Sequence, residues 1–162
     1  MLAECITAVA LCTAPAPAPF EDGLPPGGSS FGRVAIPAIG VNVRILQGTS
    51  LPVLERGAGH LRSTWLPGQG GTVGLFAHRV TPVLGKPHGP FYDLDKLRRG
   101  QRVIVRTRFG RTVYTVRSTR IVSSRSWSTF APRRDGERLL LAACHPKGSA
   151  RQRIVVEAVA RA

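Results

Sequence analysis

The sequence predicts a mainly β domain that suits an antiparallel barrel with one or two short helices. From Gly32 onward, short β-type runs are separated by Gly and Pro. Many of the runs have period-two alternation, as around Val103 and Val105, which buries one face of a strand and leaves the other wet. The predicted strands cover residues 33–36, 41–46, 72–77, 102–107, 112–122, 139–143 and 154–160.

Two short helices interrupt this pattern. The first prediction is residues 51–56, after a Thr-Ser start, and the second is residues 90–99. In the second, Phe91, Leu94 and Leu97 share one face and a glycine follows the last turn. Neither segment is long enough to organise a helical bundle.

The chain divides into three parts by composition. Residues 1–14 form an apolar run that is too short to span a bilayer and contains Glu4, so it is predicted to be the remnant of a signal or anchor segment. Residues 15–31 form a Pro/Gly/Ser-rich linker, and residues 32–162 form one folded domain. This order predicts an extracytoplasmic protein at the cell surface, exported or anchored through the N-terminal segment and close to a membrane.

Positive charge is concentrated in the folded domain. Residues 1–32 contain no Lys or Arg, so all 23 basic residues lie beyond them, against six of the nine acidic residues. Such a domain can bind nucleic acid, an anionic membrane or a wall polymer, or can simply be soluble. Because the arginines are scattered along strands without a helix-turn-helix, zinc-finger or aromatic-basic signature, the sequence predicts no nucleic-acid partner.

Cys144 is the strongest candidate for chemistry. The other two cysteines lie in the N-terminal apolar run, so this thiol has no disulfide partner within the domain. It follows the apolar run 139–143 and precedes Lys147, Arg151 and Arg153, and nearby positive charge favours the nucleophilic thiolate. The alternative is a buried structural cysteine.

A cysteine that attacks an amide needs a proton donor for the leaving amine, and four histidines compete for this role. His78 ends the predicted strand 72–77 and therefore lies at the rim of the sheet, as Cys144 does. His145 follows the cysteine and should point to the opposite face, which gives it a supporting or substrate-loop role. His60 is a candidate for the substrate groove, and His88 is expected to be a solvated loop residue.

The third requirement is a donor for the oxyanion that develops on the attacked carbonyl. A guanidinium provides it without changing its protonation state. Arg153 opens the last predicted strand, and Arg151 is the weaker candidate.

Four strings together resemble one family. They are GAGHLRSTWLPGQGG at 57–71, FAHR at 76–79, FYDLDKLRRGQRVIV at 91–105 and LLLAACHPKGSARQRIVV at 139–156. The domain resembles the sortases, in particular the class E type of actinobacteria. In the last string, a cysteine that ends one strand is joined by HPKGSARQ to an arginine that opens the next, which is the class E arrangement.

The resemblance implies a closed β-barrel of about eight strands and a cysteine transpeptidase of the peptidase/acyltransferase kind. It gives Cys144 the role of nucleophile, His78 that of general acid and base, and Arg153 that of oxyanion or substrate stabiliser. The implied reaction cleaves an LPXTG or LAXTG sorting signal of a surface protein between Thr and Gly through a thioacyl intermediate. The amine of a cell-wall precursor, or another amine acceptor, then resolves the intermediate.

The chain departs from the family at the TLxTC motif, since Leu140 and Ala143 occupy the two threonine positions. Ala143, His145 and Arg151 join His60 as groove candidates, and the Ser- and Arg-rich segment 123–137 leaves substrate preference open. No metal and no cofactor are predicted, because a site of Cys144, His145 and His78 lacks CxxC pairing and only two aspartates cluster.

Two further alternatives remain at this point. An L,D-transpeptidase would require a SHGC-like string, which the residues before Cys144 lack. A catalytically weak, basic sortase-like domain that binds cell-wall polymer is the other alternative.

Overall fold

In a computed structural model, which describes residues 23–81 and 88–161, eight strands close into one barrel. The strands are β1 (Ser30–Ile36), β2 (Val41–Gln47), β3 (Ala58–His60), β4 (Thr72–Phe76), β5 (Arg102–Thr107), β6 (Gly110–Ser123), β7 (Arg138–His145) and β8 (Gln152–Ala160). The predicted mainly β barrel is confirmed. The predicted boundaries between the N-terminal run, the linker and the domain remain a prediction, because residues 1–22 lie outside the described residues.

Around the barrel the strands follow the order β1-β2-β3-β4-β7-β8-β6-β5. Six of the neighbouring pairs are antiparallel, but β2 pairs with β3 and β4 pairs with β7 in parallel. A purely antiparallel barrel was therefore the wrong expectation. The sequence analysis also missed β3, because three residues are too few to display a strand periodicity.

Among residues 23–81 and 88–161, helical structure is limited to single turns. The α-helix α1 covers Leu51–Leu54, and 3₁₀ turns cover Pro37–Ile39, Leu94–Lys96 and Trp127–Phe130. The helix predicted at 90–99 is wrong in extent, because the amides of Leu94, Lys96 and Leu97 donate to carbonyls three residues earlier, as in 3₁₀ turns, and not four residues earlier as in an α-helix. Its apolar face was predicted correctly, since Phe91, Leu94 and Leu97 are all buried.

Strand β7 is apolar on both faces. Leu139, Leu141 and Ala143 point into the main core inside the barrel. Leu140 and Ala142 point outward into a second cluster with Phe130 and Val155. Burial on both sides is the reason that 139–143 forms a continuous apolar run without alternation.

The predicted N-terminal anchor needs correction. No helix in residues 23–81 and 88–161 is long and apolar enough to cross a membrane. The expectation of a membrane anchor is therefore wrong for the part of the chain that the structure describes. The apolar run at residues 1–14, on which that prediction rested, lies outside the described residues.

Candidate active site

Cys144 and Arg153 occupy directly opposed positions in the antiparallel β7–β8 pair. Opposed residues in such a pair direct their side chains to the same face of the sheet. In β7 the residue two positions before Cys144 is Ala142, which belongs to the outer cluster, so this face is the outside of the barrel. Cys144 is a free, half-buried thiol.

His78 reaches the same face from β4. Phe76, the last residue of β4, pairs with Ala142 in the parallel β4–β7 register, and His78 lies two residues further along the chain. His78 and Cys144 line one cavity of about 360 Å³. The cavity is bounded by the end of β4, the end of β7 and the β7–β8 loop, with lining residues His78, Arg79, Val80, Thr81, Cys144, Gly148, Ser149 and Ala150.

The backbone around His78 is held by the segment that returns to it. The amide of Gly89 donates to the carbonyl of Arg79 at 2.8 Å, and Val80 forms an isolated antiparallel bridge with His88. A Cβ at Gly89 would lie only 2.7 Å from the Cβ of His78, and closer still to its carbonyl group, so this position requires glycine. The Nε2 atom of His78 is buried and has no hydrogen-bond partner among the described residues, as expected of a group that acts on a substrate.

Arg79 is a residue of the site that the sequence analysis did not single out. Its side chain is only 2% exposed, although charged residues are rarely buried unless paired. It donates to the carbonyl of Tyr92 through Nε and Nη2, to Oδ1 of Asp95 at 2.6 Å, and to Nδ1 of His145 at 3.1 Å. Arg79 thereby ties the His78 segment to the turn at 94–96 and to the residue that follows Cys144.

The guanidinium of Arg153 lies at the β7–β8 loop. Its Nη1 donates to the carbonyls of Ala150 at 2.8 Å and Gln152 at 3.0 Å. Because both contacts use Nη1, the donors on Nε and Nη2 remain for a substrate carbonyl. Lys147, in contrast, lies 3.9 Å from Oδ1 of Asp93 and 3.9 Å from the ring centre of Tyr92, so its charge is directed away from the thiol.

An aromatic surface lies on the outer face of the barrel, which also carries the thiol. The rings of Phe76 and Phe130 lie 4.8 Å apart, and Trp127 lies 6.4 Å from each. Trp127 is 62% exposed. Both Trp127 and Phe130 come from the Ser- and Arg-rich segment 123–137, whose polar composition hid this apolar surface from the sequence analysis.

The structure does not bring all of the groove candidates to the cavity. Ala143 points into the barrel core, and His145 contacts Arg79 on the side opposite to Cys144. Arg151 lies exposed in the bend before β8. His60 is completely buried between β2 and the β3–β4 loop.

Both ring nitrogens of His60 contact neighbouring protein groups, which indicates a structural role. Its Nδ1 lies 2.9 Å from the side-chain amide of Gln47 and its Nε2 lies 2.9 Å from the carbonyl of Trp65. Burial lowers the pKa of His60 to about 4, so the ring is neutral and only one nitrogen carries a proton. Because the carbonyl of Trp65 can only accept, the proton is on Nε2, and Nδ1 can accept from the amide nitrogen of Gln47 when that amide is turned towards it.

A second cavity of about 480 Å³ lies between the segment before β1 and the β5–β6 turn. Its polar side chains are Ser30, Thr107 and Arg108, without an imidazole, thiol or carboxylate. The smaller cavity is therefore the one with reactive groups. Within residues 23–81 and 88–161, no group of three or more His, Cys, Asp or Glu residues could hold a metal ion.

The barrel is similar to proteins of one known family. The family model described as a Sortase domain matches residues 34–161. Sortase D of Bacillus subtilis (strain 168) is 27% identical over 135 residues, which cover 82% of this chain and 64% of the relative. The chain thus spans less than two thirds of the length of that relative.

Solved structures agree with this match. Group B Streptococcus Pilus Island 1 Sortase C2 is 33% identical, with a TM-score of 0.74, and the match covers 82% of this chain and 74% of the other. A Sortase D5 transpeptidase of Clostridium perfringens is 25% identical with a TM-score of 0.73, over 84% of this chain and 81% of the other.

Proposed function

Since the chain belongs to the sortase family, we propose that it is a cysteine transpeptidase that acts on the sorting signals of surface proteins. Cys144 is the nucleophile, His78 the general acid and base, and Arg153 the stabiliser of the oxyanion. The observation that carries this proposal is the convergence of β4, β7 and β8 on one outer face, with Cys144 opposite Arg153 and in one cavity with His78. The class E assignment remains a prediction from the sequence.

The proposed reaction begins when the Cys144 thiolate attacks the carbonyl carbon of the Thr–Gly bond in an LPXTG or LAXTG signal. The negative charge that develops on the carbonyl oxygen is stabilised by N–H donors of Arg153. Collapse of the tetrahedral intermediate breaks the C–N bond, His78 gives a proton to the leaving glycine amine, and the threonyl group stays on sulfur as a thioester. An incoming amine then loses a proton to His78 and displaces the thiolate, which forms a new amide.

The aromatic surface supports a signal with apolar residues on the N-terminal side of the cleaved bond. Phe76, Phe130 and the exposed Trp127 form an apolar surface on the same outer face as the thiol. Leu and Pro or Ala side chains can bury apolar area there, worth roughly 25 cal/mol per Å². The amine acceptor in this proposal is a cell-wall precursor or another primary amine.

The test is mass spectrometry of the full chain incubated with LPXTG and LAXTG peptides, with and without an oligoglycine amine. We expect a thioester adduct on Cys144 and, with the amine, a product in which the threonine carbonyl is joined to glycine. The matched control is Cys144→Ala, which must retain the fold by thermal unfolding and lose both the adduct and the product. A folded wild-type protein with a titratable thiol and no adduct with either peptide would refute the proposal.

A further inference from the structure

Four arginines form a single row across the barrel. Arg44 in β2 lies opposite Arg33 in β1, Arg33 lies opposite Arg106 in β5, and Arg106 lies opposite Arg111 in β6. All three strand pairs are antiparallel, so the four side chains leave the same face, and all four residues are exposed. We propose that this arginine row binds a flexible, linear phosphodiester polymer that carries no bases.

The positive charge of the arginine row is not compensated by acidic residues on the same strands. Strands β1, β2, β5 and β6 contain seven arginines and no Asp or Glu. Like charges on directly opposed strand residues are destabilising. None of the ion pairs found among the described residues involves a member of the row. An external polyanion would supply the missing negative charge at each position.

The arginine row is curved, because it follows the wall of the barrel. Neighbouring strands are about 4.8 Å apart, so the four backbone positions span about 14 Å. Four consecutive strands of an eight-stranded closed barrel also turn through roughly 135° around its axis. A flat lipid surface cannot contact all four side chains at once, whereas a flexible chain can follow the curve.

The described surface beside the arginine row lacks an aromatic platform on which bases could stack. On one side of the row, the positions two residues along the strands are Asn42, Ala35, Ile104 and Val113, none of which is aromatic. On the other side, Phe31 packs against the barrel core. Phe109 in the β5–β6 turn has the guanidinium of Arg108 over its ring at 4.8 Å. Single-stranded nucleic acids are held by aromatic stacking together with basic grooves. The arginine row therefore fits phosphates linked by small polyols better than phosphates linked by nucleosides.

The position of the row keeps it separate from the proposed active site. In the barrel order β1-β2-β3-β4-β7-β8-β6-β5, the four strands of the row face the pair β4 and β7 across the barrel. A polymer bound there would leave the cavity at Cys144 open. The inference thus stands apart from the proposed transpeptidation, and each can fail without the other.

The test is fluorescence anisotropy of the full chain with labelled poly(glycerol phosphate) of about a dozen repeats, at several salt concentrations. We expect the double substitution R33Q/R106Q to weaken binding at least tenfold and to reduce the slope of log K against log salt by about 1.4, for two lost phosphate contacts. R44Q/R111Q, at the ends of the row, should act in the same direction. Thermal unfolding will show whether R33Q/R106Q folds. If it does not, R44Q/R111Q provides the same test.

The matched control is R99Q/R161Q, which removes the same charge from two exposed positions outside the row and should weaken binding less than threefold. Equal losses from row and control variants would mean that net charge alone drives binding and would overturn the proposal. Tighter binding to oligothymidylate with the same number of phosphates, or to vesicles of anionic phospholipid, would overturn the assigned partner. No binding of the wild-type chain at low salt would also overturn it.

Discussion

Cys144 and Arg153 face each other across one rung of the β7–β8 ladder, and the guanidinium is tied to the loop that joins these strands. The rung fixes the spacing of the two backbones at about 5 Å, so the relative position of sulfur and guanidinium depends on side-chain rotation alone. A substrate carbonyl attacked by the thiol would therefore lie within reach of the same arginine in every turnover.

Arg153→Gln is expected to lower kcat by about 10²- to 10³-fold, because the lost donor acts on charge that develops in the transition state. The rate at which a small, uncharged reagent alkylates the Cys144 thiol should change much less. The measurement is steady-state cleavage of the peptide that the mass-spectrometric test selects.

Arg151→Gln is the matched control for this substitution, since it removes an exposed arginine two residues earlier. It should leave kcat within about threefold of the wild type. If Arg151→Gln abolished turnover while Arg153→Gln retained it, the oxyanion role would belong to Arg151.

Arg79→Met is expected to reduce both stability and turnover. The substitution leaves the carbonyl of Tyr92 and the carboxylate of Asp95 without their buried donor, at a cost of about 2 kcal/mol in the free energy of unfolding. It also frees His145 and the segment after His78, so kcat should fall at temperatures well below the unfolding midpoint while KM changes little. Peptide kinetics and thermal unfolding measure the two effects separately.

The control for Arg79 is Arg98→Met, because Arg98 also donates to the 94–96 turn but is exposed. We expect it to change neither kcat nor the unfolding midpoint appreciably. Arg79→Lys should rescue only part of the activity, since one ammonium cannot reach Tyr92, Asp95 and His145 together. Full activity in a folded Arg79→Met variant would contradict the positioning role.

The sequence predicted the strands that carry the reactive residues because their patterns are local. A long apolar run before Cys144 and a short one before His78 give β7 and β4, and the two strand ends were expected at one rim. The pairing of the strands could not be predicted from the sequence. The parallel β4–β7 contact joins residues more than sixty positions apart in the chain, and no local periodicity encodes such a pairing.

Burial of polar residues was equally hidden. His60 sits in a Gly-rich stretch typical of an exposed loop, but the three-residue strand β3 carries it inside. Arg79 follows His78 in the string FAHR, and from the sequence it resembles an exposed surface charge. In the folded chain it forms an ion pair with Asp95, sixteen residues later. Both placements depend on tertiary contacts, which override local composition.

Trp127→Ala is expected to raise KM for the sorting peptide about tenfold, equivalent to about 1.4 kcal/mol of lost apolar burial, with little change in kcat. Because Trp127 is already 62% exposed, the unfolding midpoint should stay nearly constant. Phe109→Ala, which removes an aromatic residue that is 54% exposed at the distant β5–β6 turn, is the control and should leave KM unchanged. Equal effects of the two substitutions would exclude Trp127 as a peptide contact.

His60 should make the stability of the barrel depend on pH between about 4 and 7. Burial lowers the pKa of His60 from 6.5 to about 4, so the unfolded chain binds a proton in this range that the folded chain does not. The free energy of unfolding therefore falls as the pH falls through this window, by about 2 kcal/mol between pH 7 and pH 5. Chemical denaturation at several pH values measures this slope.

His60→Asn removes the titrating group and should flatten the slope by that amount, although the variant will be less stable at pH 7 because it leaves a cavity beside Gln47 and Trp65. His88→Asn is the control, since His88 is an exposed imidazole outside the buried site of His60. If His60→Asn kept the full slope while His88→Asn lost it, the buried neutral imidazole would not be the source of the acid sensitivity. The comparison isolates His60 because each variant removes one imidazole and introduces the same amide side chain.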